Sequence, residues 1–329
     1  MILAGDVGGT KCNLALFERR AGRLEAAVVR RYPSRGFAQF GEIVGKFLED
    51  ARAALDRDPG RLEAAGFGVA GPVVGKRVQA TNLPWIVDGE ALEQQLGAKK
   101  IVLLNDLEAT GYSLGHLRPD ELETLNPGTP APRAAQALIA AGTGLGEAIL
   151  YWDGERYIVA SSEGGHSDFA PRTDQEIELL RYMKRNDSNV SNELILSGRG
   201  FRTLHQFLDS SVKHPGLDDP GADPAPVITQ HGLDGTCPVC VETLHLWISI
   251  YGSEAGNLAL KALARNAVYV AGGIAVKVLP KLKDGTFVRS FCEKSKLQTL
   301  LSQIPIHVVL NEQAPLLGAA SQAAAAAGI

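Results

Sequence analysis

Cysteine is scarce, with four residues in 329, too few for a disulfide scaffold. Long apolar runs are missing too. No stretch of eighteen apolar residues occurs and mean hydropathy is −0.01, which argues against a membrane span. There is no excess of basic residues. Net charge is −4 and the isoelectric point about 6.0, which argues against nucleic acid as a partner and suits a small-molecule enzyme. The start, Met1 to Asp6, lacks the basic and long apolar regions of a signal peptide, so a cytoplasmic location is expected. Apolar residues at 45% and charged residues at 21% exclude a disordered or fibrous chain. The length exceeds that of one core and predicts two lobes. Glycine is abundant at 36 of 329 residues, about 11% against an average of roughly 7%.

The glycines cluster beside apolar runs. Strands are expected at Ile2–Val7, Asn13–Phe17, Ala64–Ala70, Ile101–Leu104, Ala137–Ala141, Ala148–Trp152, Ala267–Val270 and Ile306–Leu310. Ile101–Leu104 reads as a strand covered on both faces. Helical spacing covers Phe40–Leu55, Leu92–Leu96, Asp174–Arg185, Phe201–Leu208, Val241–Leu263 and Pro315–Ala327, with a further helix from Glu108. His214–Pro226, with four prolines, reads as a surface loop. Strands alternating with helices make an α/β protein. Leu3–Phe17 and Ile139–Trp152 echo one another as strand, glycine turn and strand, which suggests two related lobes.

Gly5-Asp6-Val7-Gly8-Gly9-Thr10-Lys11 can bring successive backbone N–H groups close to an anion. Thr10 adds a hydroxyl, and Asp6 suits a hydrated Mg²⁺. An ordinary hairpin turn is the plain alternative. The second loop, Gly142-Thr143-Gly144-Leu145-Gly146, is followed by a strand, so it is not a Rossmann dinucleotide site, which opens a helix. No Walker A motif is present. Two strand–turn–strand phosphate loops point to an actin-like ATPase. A third loop, around Gly272-Gly273, ends a strand and could pack against adenine or ribose.

Asn105-Asp106 ends a strand, where open α/β sheets place ligands. Asp106 could accept a substrate proton or merely cap the next helix, and the residues leave both open. Glu163-Gly164-Gly165-His166 sets an acid and an imidazole beside two small residues, so that a ligand could approach closely, though on this stretch alone a plain turn with a surface acid is slightly favoured. Glu193 sits in the first turn of a short helix behind Ser191. Carboxylates, amide and imidazole together suit a polyol. His231, Cys237, Cys240 and His245 have spacing that could hold zinc, but a lone C-x-x-C is a weak signal and free buried thiols are the expectation. No metal ligand is assigned.

In this order the motifs resemble the bacterial glucokinases of the hexokinase–actin superfamily. They are Gly5 to Thr10, Thr81-Asn82, Asn105-Asp106, Gly142 to Gly146, Glu163 to His166 with Asp168-Phe169-Ala170-Pro171, Glu193 with Leu196-Ser197-Gly198, and Ala271-Gly272-Gly273-Ile274. The resemblance runs from Leu3 to the closing helix. It implies an actin-like, ribonuclease H-like α/β fold of two lobes, each with a mixed sheet, around a cleft. Residues 1–112 with 311–329 would form a small lobe and 113–310 a large one. It implies transfer of the ATP γ-phosphoryl group to the 6-hydroxyl of D-glucose with Mg²⁺, in a cytoplasmic homodimer. Asp106 would be the catalytic base. Asn82, Asn105, Glu163, His166 and Glu193 would hold the sugar. Gly5, Asp6, Val7, Gly8, Gly9, Thr10, Gly142, Thr143, Gly144, Gly146, Gly272 and Gly273 would hold ATP. Lys11 departs from relatives that carry Asn there. The cysteine-rich zinc motif of related sugar kinases and repressors has no match here.

Overall fold

The computed structural model describes residues 1–55, 60–80, 83, 85–98, 100–215, 217 and 223–329. The chain forms two compact units, residues 1–119 with 311–329, and residues 120–310.

The first unit starts with β1 (Ile2–Val7), β2 (Lys11–Arg20) and β3 (Arg23–Pro33), followed by α1 (Phe40–Leu55) and β4 (Ala64–Val69). A small ribbon of β5 (Val73–Val74), β6 (Arg77–Gln79) and β7 (Ile86–Asp88) leads to α2 (Gly89–Leu96), β8 (Ile101–Asn105) and α3 (Asp106–Ser113). The main sheet runs β3-β2-β1-β4-β8. β1 is antiparallel to β2 and parallel to β4, and β4 is parallel to β8. Its faces follow the period-2 rule of strands. Phe67 and Val69 of β4 join Phe40, Ile43, Val44 and Phe47 of α1 in one core. Ala64 of the same strand faces the other core, with Leu316, Ala319 and Ala323 of the closing helix. β8 is an edge strand, and Ile101, Val102 and Leu103 are only half-buried, not covered on both faces as expected.

The second unit carries β9 (Leu122–Asn126), β10 (Gln136–Ala141), β11 (Leu145–Trp152) and β12 (Tyr157–Ser162). Helices α4 (Asp174–Met183), α5 (Asn192–Ile195), α6 (Gly198–Asp209), α7 (Ala225–Leu233) and α8 (Pro238–Ala262) follow. β13 (Ala267–Ala271), α9 (Gly273–Lys277), α10 (Leu279–Leu282), α11 (Thr286–Cys292), α12 (Gln298–Ser302) and β14 (Ile306–Val309) complete it. The sheet runs β12-β11-β10-β13-β14-β9. α8 anchors the core. Its Trp247 stacks on Phe201 at 4.9 Å, and Tyr251 meets Phe287 edge-on at 5.5 Å. A Cβ on Gly252 would lie 2.3 Å from Phe287 O, so the internal glycine admits α11 against the helix.

The chain ends in α13 (Ala314–Ala327), which belongs to the first unit. A Cβ on Gly66 would lie 2.1 Å from Ala319 O, and one on Gly318 would lie 1.7 Å from Ala109 O. Backbone contact with β4 and α3 therefore depends on both glycines. Residues 113–119 also stay with this unit, where His116 Nε2 lies 2.6 Å from Ser321 Oγ. The segment 214–226 is not all loop, since α7 begins at Ala225 and Leu217 is buried. No helix among the described residues is long and apolar enough to cross a membrane.

Candidate active site

The turn between β1 and β2 closes with Gly8 N–H donating to Lys11 O at 3.1 Å. Ser34, fully buried behind it, donates its hydroxyl to Gly8 O at 2.6 Å and its N–H to Thr10 O at 3.0 Å. Thr10 and Lys11 are exposed, while Gly8 and Gly9 are half-buried, so the turn faces solvent. Gly5 and Val7 are buried in the strand. A Cβ on Gly5 would lie 2.6 Å from the Phe67 ring, so Gly5 serves sheet packing. Asp6 accepts from Asn13 Nδ2 at 2.9 Å, and Asn13 in turn accepts from Arg31 Nε at 3.0 Å. Burial lifts the Asp6 carboxyl above the usual carboxylate range. The Asn13 amide pulls it back and the neighbouring Asp106 charge adds to the rise.

Asp106 opens α3 at the end of β8, and the capping question resolves against it. Asn105 is the N-cap: its Oδ1 accepts from Leu107 N–H at 2.9 Å, and Glu108 Oε2 accepts from Asn105 N–H at 3.1 Å. Asn105 Nδ2 also donates to Gly71 O at 3.3 Å. The helix thus starts at Asp106 rather than Glu108. Asp106 Oδ1 accepts from Leu107 N–H at 3.0 Å, where the helix terminus favours negative charge.

In the second unit, Gly142 N–H donates to Gly144 O at 2.9 Å, and Gly198 N–H donates to Gly142 O at 3.0 Å. Glu193 is more than a residue of a short helix. Its Oε2 accepts from Leu145 N–H at 3.0 Å and lies where a Cβ on Gly144 would come within 2.4 Å. Thr143 is exposed, and Gly146 lies within β11. Gly272 has φ +90°, and a Cβ there would lie 2.3 Å from Ala141 O. The third loop is thereby pressed against the end of β10, beside the second. Gly273 opens α9.

Glu163 and His166 flank a single 3₁₀ turn, with His166 Nε2 3.8 Å from Glu163 Oε2 and both exposed. The two glycines between them have a different use from the one expected. A Cβ on Gly165 would lie 2.0 Å from Leu145 O and one on Gly164 2.1 Å from Glu147 Oε2, so the protein itself fills that space. Asn192 N–H donates to Ser167 O at 3.0 Å, and Asp168 bridges to Ser191. Glu163, His166, Glu193 and the Gly142 and Gly272 loops therefore gather in one region of the second unit. Asp6 to Thr10, Asn105 and Asp106 gather in the first. Thr81 and Asn82 lie outside the described residues.

Sequence reading passes over two residues. Ser34 acts on a turn 26 positions away and carries no local signal. Glu147 is buried at 1% exposure, and burial with the nearby Glu254 pushes its carboxyl up to about 7.

The family model described as Glucokinase matches residues 3–326. A glucokinase of Nostoc sp. is 39% identical over 98% of this chain and 99% of its own length. Among solved structures, a glucokinase from an Antarctic psychrotroph is 28% identical, with a TM-score of 0.84 and 98% of each chain covered. The Balamuthia mandrillaris glucokinase, solved in complex with glucose, shares the fold. It is 20% identical, with a TM-score of 0.79 over 98% of this chain and 93% of its own.

Proposed function

The chain belongs to the glucokinase family, and we propose that it transfers the γ-phosphoryl group of ATP to the 6-hydroxyl of D-glucose, giving glucose 6-phosphate and ADP. The observation that carries the site assignment is the start of α3, where Asn105 caps the helix and the Asp106 carboxylate stands at the end of β8. Asp106 orients the 6-hydroxyl and takes its proton, help worth about 10²–10⁴-fold. Phosphoryl transfer passes through a loose transition state, so position and charge dominate. The Gly8 and Gly142 N–H groups close their turns, and the N–H groups that follow, of Gly9, Thr10, Thr143 and Gly144, serve the triphosphate. Asn105, Glu163, His166 and Glu193 hold the other sugar hydroxyls, and Asn82 is assigned beside them.

The residues fit Mg²⁺. Asp6 and the neighbouring Asp106 are hard carboxylate oxygen donors, the kind such an ion takes. Asp6 would hold the ion, which would there neutralise the charge that builds on the departing diphosphate. Binding energy from glucose is used to assemble the site, which keeps water from acting as acceptor. The same reading makes the chain a cytoplasmic homodimer acting at the first step of glycolysis.

The test is ADP release from Mg·ATP across a panel of hexoses, with Asp106→Ala beside the parent. Glucose-dependent turnover, lost in the variant while ATP still binds, is expected. Turnover on a different hexose alone would move the substrate. ATP binding without sugar-dependent turnover would overturn the reading. Glu163→Gln and His166→Ala should weaken use of glucose. An effect confined to ATP affinity would remove them from the sugar site.

A further inference from the structure

The second unit contains a cluster of soft donors that the phosphoryl-transfer site does not use. His205 lies on α6, His214 in the segment that follows it, and Cys240 in the first turn of α8. Their donor atoms all lie within 4.8 Å of one another. Cys240 Sγ is 3.4 Å from His214 Nε2. A tetrahedral ion with bonds of about 2.3 Å to sulfur and about 2.0 Å to nitrogen separates such a pair by about 3.5 Å, so this pair already has the right spacing. Cys240 is fully buried and His205 is 1% exposed. Cys237, the N-cap of α8, accepts from Cys240 N–H with its sulfur at 3.5 Å. This places a second thiol one turn before the first.

We propose that His205, His214 and Cys240, with Cys237 as fourth donor, bind one divalent cation of borderline softness, of the Zn²⁺ class. Two imidazoles and two thiols are a donor set such an ion takes, in a closed site made of protein ligands alone. The surroundings support it. The His231 ring stacks on His214 at 4.3 Å, and His231 Nδ1 is fixed 2.7 Å from Thr236 Oγ1. The stacked ring limits how the His214 imidazole can turn. Leu217, Ile228 and Leu244 of the large core help keep the region dry. Uptake replaces each S–H bond by a metal–sulfur bond and releases the proton to solvent, so affinity falls as pH falls.

Spacing along the chain suggested His231 and His245 as partners of the C-x-x-C. The fold substitutes His205 and His214. His245 lies five residues beyond Cys240 on the same helix, on a different face. The role that follows is structural. The ion ties the end of α6 and the segment after it to the start of α8. Gly198 at the other end of α6 donates its N–H to Gly142 O of the second glycine loop. The tie therefore steadies the helix on which that loop rests.

The tag-free, full-length chain is stripped with a chelator and titrated with Zn²⁺ against a chromophoric competitor, and separately with Co²⁺. One equivalent per chain is expected, with the strong visible bands of tetrahedral Co²⁺ and a near-ultraviolet thiolate band. Cys240→Ser and His205→Gln should each weaken binding at least about 100-fold, since outer partners alone are worth 10–100-fold. His245→Gln should leave it unchanged. Absence of stoichiometric uptake by the parent chain would overturn the proposal, as would a Co²⁺ spectrum without a thiolate band. Both readings need only the parent chain, so a variant that fails to fold does not decide the outcome. Equal affinity in a folded Cys240→Ser would also overturn it.

Discussion

Strands β3-β2-β1-β4-β8 of the first unit and β12-β11-β10-β13-β14 of the second have the same order and the same senses. In each, an antiparallel hairpin carries a glycine turn, and two parallel strands follow on its other side. The last pairs before the turns are Val7 with Cys12 and Ala141 with Leu145. The units differ in what the shared plan holds at three places. The first turn is braced by a neutral hydroxyl, Ser34, and the second by a carboxylate, Glu193. β8 ends in Asn105-Asp106, and β14 leads to Leu310-Asn311, where Asn311 Oδ1 accepts from Gln313 N–H at 2.7 Å. Two residues back along the hairpins, Leu14 lies opposite Gly5 but Glu147 lies opposite Ile139. A repeated scaffold thus fixes where side chains can stand, and single substitutions on it set a carboxylate after one strand end and an amide after the other.

The sharpest test sets the two strand ends against each other. Asp106→Ala is expected to lower kcat by about 10²–10⁴-fold with ATP binding almost unchanged. Asn311→Ala should leave kcat near that of the parent and cost only about 1 kcal/mol for the lost hydrogen bond from Gln313 N–H. Steady-state kinetics and a melting curve separate the two, and equal loss of kcat in both would break the comparison.

The next effect is on packing. Gly66 and Tyr269 occupy equivalent positions in the two sheets, opposite Ala4 and Leu138. Gly66 lies under the backbone of α13, where a Cβ would come 2.1 Å from Ala319 O, whereas the Tyr269 ring lies 5.7 Å from that of His307. Gly66→Ala should destabilise the chain by about 3 kcal/mol or more, since a backbone atom must move. A melting point within a degree of the parent would show that α13 does not depend on that glycine.

These contrasts also explain what the residues reveal on their own. β1 and α1 are legible to the residue because the first is an apolar run ending in glycines and the second has a single apolar stripe. β3 is not, because as an edge strand it buries only Val28 and Tyr32 among charged neighbours. Asp6, Asn105 and Asp106 are legible as polar residues at the ends of apolar strands. Ser34, Glu147 and the link from Glu193 to Leu145 are not, because each acts through partners far along the chain. The histidines facing Cys240 come from α6 and the segment after it, 26 and more positions away, so spacing along the chain does not single them out.

Bracing comes third in size. Glu193→Ala removes a charged acceptor from Leu145 N–H and a group assigned to glucose. It is expected to raise KM for both substrates by about 10- to 100-fold, from the 1–3 kcal/mol of a lost charged hydrogen bond. Ser34→Ala removes a neutral donor behind the first turn and should raise KM for ATP alone by about 5-fold. If both variants altered only ATP use, Glu193 would be a brace and not a sugar ligand.

The last contrast is one of pH. Glu147 stands where the first unit has buried Leu14, and burial with the nearby Glu254 charge lifts its carboxyl from 4.5 to about 7. The folded chain therefore holds a proton between those values that the unfolded chain has released. The stability that this carboxyl contributes is full below about pH 4.5. It is lost as pH rises to about 7, and the loss is complete above that. Glu147→Gln keeps a neutral side chain of the same shape and should flatten this part of the stability curve. Denaturant midpoints at pH 5 and pH 8 read the difference, and an unchanged slope in the variant would assign the titration to another group. A flattened slope would show that the second hairpin carries an ionisable group where the first carries only packing.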